Sequence, residues 1–311
     1  MGNILVTGGG GYIGSVLIPR LLDCGHDVQV VDSFMYRDNS LALSMSNSRL
    51  GIDVFDVRDE ARMRPLVAQA DVVVPLAAIV GAPACARDTT AAESINLKAP
   101  LALFALLADG QRVIMPTTNS AYGTTPLGEV CTEESQLKPL SIYAQHKVEV
   151  EHALLAHPGS TSFRLATVFG MSPRMRLDLL VNDLTNRALV DRSVVLFEAD
   201  FIRNYVHVRD VCGAILWAID NPEVVMGEVF NVGLTEANLS KRQLCEAIQR
   251  HVPGFVFSEA DAGHDPDQRN YTVSNQKIEK AGFSFAVTLD AGLAELVKGL
   301  PTLHAKRYSN F

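Results

Sequence analysis

The sequence predicts an α/β fold, a doubly wound parallel (Rossmann) sheet followed by a smaller C-terminal α/β substrate domain. Three observations lead there. Apolar runs of strand length alternate with segments of helical spacing through residues 1–170. The run 72–78 is apolar at nearly every position, as in a strand buried on both faces. The first run, 4–6, breaks into four glycines, and an apolar pattern of helical spacing (Ile13, Val16, Leu17, Leu21) follows at once.

The elements follow in order. Strand 28–31 ends in Asp32, and strand 52–55 runs into Asp56-Val57-Arg58-Asp59, an acidic opening for a helix at 61–69. After strand 72–78 comes a loop, 79–88, with Gly81, Pro83 and Cys85, and then a long helix at 91–107. Strand 112–115 ends at Pro116-Thr117-Thr118-Asn119-Ser120, a helix covers 143–155, and 163–169 is the last strand before Gly170 breaks the alternation. The expected division is therefore 1–170 and 171–311, with the chain free to cross back. In the second part the pattern predicts helices at 178–189, 211–219 and 239–251, short strands at 194–197, 206–208 and 229–232, and a polar surface loop at 260–270.

Composition narrows the function classes. The 311 residues are 48% hydrophobic and 20% charged, as in an ordinary globular chain. A net charge of −8 disfavours nucleic acid and anionic membrane as partners. No apolar run has bilayer length, and the first residues read as a strand rather than a signal peptide. Five scattered cysteines without metal-ligand spacing fit reduced thiols in a cytoplasm and no metal site.

The glycine turn points free backbone N–H groups and the positive end of a helix dipole at one spot, an anion site. Gly9, Gly11 and Gly14 match the dinucleotide fingerprint literally, while Gly8, Gly11 and Gly14 give a looser three-residue spacing. Asp32 stands 18 residues beyond Gly14, where a carboxylate accepts ribose hydroxyls and repels a 2′-phosphate, so NAD is favoured over NADP. Arg37 lies near enough to keep NADP open. Farther along, Tyr143 and Lys147 stand four apart, on one helix face, where a cation is expected to lower the tyrosine pKa. Thr118, at a strand end, would share a hydroxyl proton with Tyr143.

In this order the glycine turn with Tyr12, Ile13 and Gly14, the segments Asp56-Val57, Leu76-Ala77-Ala78, Asn96, 118–123, Tyr143 with Lys147, and 203–211 resemble the extended short-chain dehydrogenase/reductase family, and within it the nucleotide-sugar epimerases and dehydratases. The resemblance selects Gly8, Gly11 and Gly14. It implies that Asp56 and Val57 contact adenine, that Leu76, Ala77, Ala78 and Asn96 belong to the cofactor site, and that Lys147 holds the nicotinamide ribose. Tyr143 would remove the proton of a sugar 4-hydroxyl as hydride passes to NAD, assisted by Thr118. Members that eliminate water across C5 and C6 carry an Asp-Glu pair directly after this threonine. Here Asn119 and Ser120 offer no acid–base pair, so a 4,6-dehydratase ranks low.

Nucleotide-diphosphate contacts are expected from Arg203 and Arg269; Arg174, a further candidate, and Arg176 are a weaker case, on a loop that reads equally as phosphate-binding or water-facing. Asn119, Thr167 and Asn182 are the other substrate candidates, although Thr167 replaces the family's usual asparagine. Segments 117–123 and 171–176 resemble a subgroup acting on nucleotide-activated heptoses. His146, His207 and Cys85 read as structural residues. The leading expectation is an NAD-dependent 4-epimerase acting on a nucleotide-diphosphate sugar. A 4-dehydrogenase is the nearest rival, with a non-catalytic NAD-binding regulator or an amino-acid or alcohol dehydrogenase behind. The family's helices at 91–107 and 143–155 imply a homodimer.

Overall fold

The computed structural model describes residues 1–36, 38–126, 128–260 and 269–303. Seven strands form the central sheet: β1 (Asn3–Thr7), β2 (Asp27–Asp32), β3 (Leu50–Val54), β4 (Val72–Pro75), β5 (Arg112–Thr118), β6 (Ser160–Leu165) and β7 (Glu228–Val232). They lie in the order β7-β6-β5-β4-β1-β2-β3, every pair parallel. The winding reverses between β1 and β4, which opens a crevice beyond their carboxyl ends, where open α/β sheets bind ligands.

Both faces are covered, which is why the strands read as continuous apolar runs. Ile4 and Val6 of β1 pack with Leu17 and Leu21 of α1 (Gly14–Asp23), whereas Leu5 between them packs with Leu97, Val150 and Leu154 on the other side. The second layer contains the helical run 89–104, whose middle (Ser94–Lys98) is a π-helical turn, and α2 (Ile142–Leu154).

After β6 the chain leaves the sheet at Ala166, which donates to Val232 O at 2.9 Å, so the single strand expected at 163–169 is two. Its second part, Thr167–Phe169, pairs with Ile202–His207, which pairs in turn with Asn238–Ser240. A second core lies among α3 (Leu180–Val190), α5 (Lys241–His251) and α6 (Leu289–Gly299), around Phe169, Met175 and Tyr205. Between these elements α4 (Val208–Asp220) returns to pack on α1 through the first core, and β7 becomes the edge strand beside β6.

The loop expected at 79–88 contains a short helix, Ala82–Arg87. Gly81 and Pro83 read as breakers in the sequence, yet proline in a first helical turn is favourable because its missing N–H has no acceptor there. Most of the 260–270 loop lies outside the described residues.

One buried polar network ties α2 to the sheet. The Glu151 carboxylate receives Arg164 Nη2 at 2.6 Å, Ser162 Oγ at 2.6 Å and Thr117 Oγ1 at 3.0 Å. Arg164 also donates to Tyr122 OH (3.1 Å) and Glu133 O (3.0 Å), and Tyr122 OH donates to Asn231 Oδ1 (2.7 Å). Three elements, α2, β5 and β6, thus meet on one ion pair, and Tyr122 links it to β7. Removing one partner of a buried pair strands the other without solvent, at a cost of about 3–5 kcal/mol. Glu151→Ala is expected to lose stability on that scale in urea unfolding, and Glu151→Met with Arg164→Met much less. A loss below about 1 kcal/mol for Glu151→Ala would contradict this account.

Candidate active site

The turn after β1 is glycine by necessity. Gly8 has φ 70°, and a Cβ on it would lie 2.5 Å from Ala77 N. A Cβ on Gly14 would lie 2.5 Å from Gly9 O, whereas one on Gly11 meets only Gly8 O, at 3.1 Å. Gly9 faces Val30 in the sheet instead, 2.7 Å from where its Cβ would be. Gly8, Gly11 and Gly14 are therefore the turn, the open approach and the helix contact. The amides of Tyr12 and Ile13, at the start of α1, find no acceptor among the described residues. Two free N–H groups at a helix N-terminus beside a bare glycine suit a dinucleotide pyrophosphate.

On one side of the turn lies a cavity of about 120 Å³. Asp32 lines it from the end of β2, its carboxylate accepting Phe34 N (2.7 Å) and Gly10 N (2.9 Å), while burial raises its pKa. Asp56, Val57, Leu76, Ala77 and Ala78 also line it. A hydrogen bond from Arg58 holds the Asp56 carboxyl below its usual pKa. Arg37, on which NADP depended, lies outside the described residues. Asn96 does not reach this cavity: its amide is spent on Ile79, accepting N and donating to O, both at 2.8 Å. It shapes the loop after β4 rather than lining the cavity. Cys85 is buried in the same loop, donating to Ile79 O at 3.3 Å.

On the other side a cavity of about 460 Å³ is lined by Thr118, Ser120, Tyr143, Lys147 and Thr167 together with Gly11 and Ile13. Thr118 ends β5, its hydroxyl donating to Ser120 Oγ (2.9 Å) and accepting Ser120 N (3.1 Å). Ser141 caps α2 through Ala144 N (3.2 Å), which sets Tyr143 in the first turn, and Lys147 follows one turn later. The pKa of Tyr143 is pushed up to about 12, first by burial, with Arg176 and Arg269 pulling it down. Lys147 is not among its perturbing charges, contrary to the expectation from spacing. Burial brings Lys147 itself down to about 8, and its Nζ donates to Pro116 O at 3.3 Å.

Among the described residues, four arginines line the large cavity. Arg203 is buried with its guanidinium 6.0 Å over the Tyr271 ring. Arg269 donates through Nη1 to Ser120 Oγ, so it meets the neighbour of Thr118 directly. Arg176, which sequence left undecided, is held by Asp178 through Nε (3.2 Å) and Nη2. Arg174 pairs with Asp38 at 2.8 Å and borders both cavities.

Two expected substrate residues, Asn119 and Asn182, lie outside the cavity lining. Asn119 is fully buried outside the cavity lining, both amide atoms lacking partners, in the turn Asn119–Tyr122 behind Thr118. Asn182 is also enclosed, accepting Gly170 N (3.0 Å) and donating to Arg176 O (2.9 Å) and Tyr12 OH (3.3 Å). Although Tyr12 borders the cavity, its hydroxyl turns away to Gly170 O (2.7 Å). Tyr12 and Asn182 thereby join the glycine turn to the segment carrying Arg174 and Arg176. His207 caps α4, accepting Arg209 N at Nδ1 (3.1 Å), in keeping with a structural reading. Asp178, Asp183 and Tyr271 also line the cavity and were not picked out from sequence; nothing in their local pattern separates them from surface residues.

The depressed pKa of Lys147 yields a stability prediction. Below pH 8 the ammonium is charged in folded and unfolded chains alike, and folding bears the full cost of desolvating it. Between about 8 and 10.5 the folded state releases the proton first, and the cost fades. Lys147→Met is expected to stabilise the fold at pH 7 by about 1–3 kcal/mol, less the lost bond to Pro116, with the gain vanishing toward pH 10.5. Denaturation at pH 7 and pH 10 measures it, and a destabilised variant at pH 7 would refute it.

The chain is similar to known proteins in sequence and in fold. A UDP-glucose 4-epimerase of Mycolicibacterium smegmatis is 29% identical, over 94% of this chain and 97% of its own. A dTDP-glucose 4,6-dehydratase of Streptomyces griseus is 28% identical over 95% and 93%. In fold, the chain resembles the solved UDP-glucuronic acid 4-epimerase from Bacillus cereus in complex with UDP-glucuronic acid and NAD, with a TM-score of 0.86, 23% identity, and coverage of 97% and 100%. The sequence model of the NAD dependent epimerase/dehydratase family matches residues 4–233, from the first strand through the glycine turn and Tyr143 to the edge strand, and the chain belongs to that family.

Proposed function

We propose that this protein oxidises C4 of a nucleotide-diphosphate sugar, with Tyr143 as the base, and returns the hydride to the opposite face as a 4-epimerase. The observation that carries the reading is one cavity wall holding Thr118, Tyr143 and Lys147, continuous with the glycine turn. When bound, NAD supplies the hydride acceptor. Tyr143 takes the 4-hydroxyl proton, and Thr118 orients that hydroxyl. Lys147, still largely protonated at pH 7 with a pKa of about 8, offers a donor on the same face. Tyr143 enters with a raised pKa, so Arg176 and Arg269 are assigned to favouring its ionised form. Arg203 is assigned to the diphosphate. Asn119 is sealed from the cavity and Ser120 carries only a hydroxyl, which supports oxidation at C4 without elimination.

A second reading, a net 4-dehydrogenase acting on a nucleotide sugar such as a heptose, is favoured by one feature. Arg176 and Arg269 flank the Tyr143 end, where two guanidiniums would grip the sugar in one pose and oppose the half-turn that epimerisation needs. Incubation with a panel of nucleotide sugars separates the readings: a C4 epimer without net NADH supports the first, a released ketone with stoichiometric NADH the second. Neither product from any nucleotide sugar would overturn both.

Tyr143→Phe is expected to lower turnover about 100- to 10,000-fold with NADH binding retained. Turnover within a factor of a few of wild type would remove Tyr143 from the mechanism. We also assign a homodimer to the helices 89–104 and 142–154, in line with the family resemblance of this helix pair. Light scattering is expected to give twice the chain mass, and a monomer would refute the assignment.

A further inference from the structure

We propose that Arg174, with Tyr36 and Asp38, forms a clasp over the cofactor channel that retains the dinucleotide between turnovers. The inference rests on the NAD reading above and reassigns Arg174 from substrate to cofactor.

Among the described residues, six border both cavities: Gly8, Gly11, Leu76, Ala78, Tyr36 and Arg174. The first four come from the turn after β1 and the end of β4 and form the floor of the junction. Tyr36 and Arg174 belong to two different loops, one after β2 and one after Thr167–Phe169, and stack on each other where the cavities meet. A dinucleotide with its adenosine beside Asp32 and its nicotinamide beside Tyr143 must pass its pyrophosphate through this junction.

The clasp is held in place from several sides. Arg174 is buried, its Nε lies 2.8 Å from Asp38 Oδ2, and its guanidinium stacks 4.2 Å from the centre of the Tyr36 ring. Nη1 donates to Met175 O, and the Arg174 amide donates to Ser15 Oγ (3.3 Å) on α1. Ser15 Oγ is also 2.9 Å from Ser172 Oγ, and Ser172 donates to Tyr12 O at 2.7 Å. The loop bearing Arg174 is thus fastened to the helix that opens from the glycine turn. A cation fixed across from free backbone amides gives a diphosphate partners on two sides. Its release requires the ion pair to Asp38 and the stack on Tyr36 to part.

The test is the rate at which bound NADH, followed by its fluorescence, leaves the protein when displaced by excess NAD. Arg174→Ala is expected to speed release about tenfold or more. Asp38→Asn and Tyr36→Ala should move it in the same direction by less, while KM for the nucleotide sugar changes less than about twofold. Asp38 and Tyr36 lie at partly exposed loop positions, so they keep the test open if Arg174→Ala fails to fold. Unchanged release with a raised sugar KM for Arg174→Ala would make Arg174 a substrate-phosphate ligand and overturn the clasp alone. Unchanged release in the folded variants overturns it too. A wild-type protein that binds no NADH would overturn the cofactor reading and the clasp with it.

Discussion

Glu151 and Arg164 meet in the interior between α2 and the sheet, and the geometry of the candidate site depends on that meeting. Glu151 is one turn beyond Lys147 and two beyond Tyr143, on the same helix face. By accepting from Thr117 and Ser162 as well as Arg164, it fixes α2 against the strand that ends in Thr118. Through Tyr122 and Asn231 the same network reaches the edge strand β7. A buried ion pair is a poor source of net stability, because two charges lose their water. What it supplies here is position, since its carboxylate is bonded by side chains of both β5 and β6.

The site carries other unfavourable terms of this kind. Lys147 is a cation held where burial depresses its pKa, and Tyr143 a phenol held where burial raises its own. Both shifts oppose the charged forms that proton transfer requires, and the arginines around Tyr143 work against the second of them. The fold can hold these groups because two apolar cores, one on the sheet and one among α3, α5 and α6, are independent of them. The cavity lies between those cores, where loops from both halves of the chain converge.

Much of the fold was legible locally. Continuous apolar runs, helical periodicity and a glycine turn are short-range features, and they led to a doubly wound parallel sheet. The expected loop at 79–88 failed for an instructive reason: proline and glycine mark a helix start as well as a break, and only the surrounding backbone tells which. Among candidate residues, those fixed by backbone position (Gly8, Asp32, Ala77, Thr118) stand where strand ends put them. Asn96, Asn119 and Asn182 lie outside the cavity linings, because a polar side chain can serve a ligand or a buried amide equally well, and its direction depends on packing.

By itself the sequence determined the sheet, the turn that suits a dinucleotide, the spacing of Tyr143 and Lys147, and the family. All of these follow from conformational rules acting over a few residues. Tertiary structure alone decided that Gly11 faces the open side of the turn, that Arg176 and Arg269 rather than Lys147 act on Tyr143, that Glu151 finds Arg164, and that Arg174 crosses to Asp38. Those are encounters between segments far apart in the chain or on different elements, and electrostatics and burial depend on distance in space rather than along the sequence.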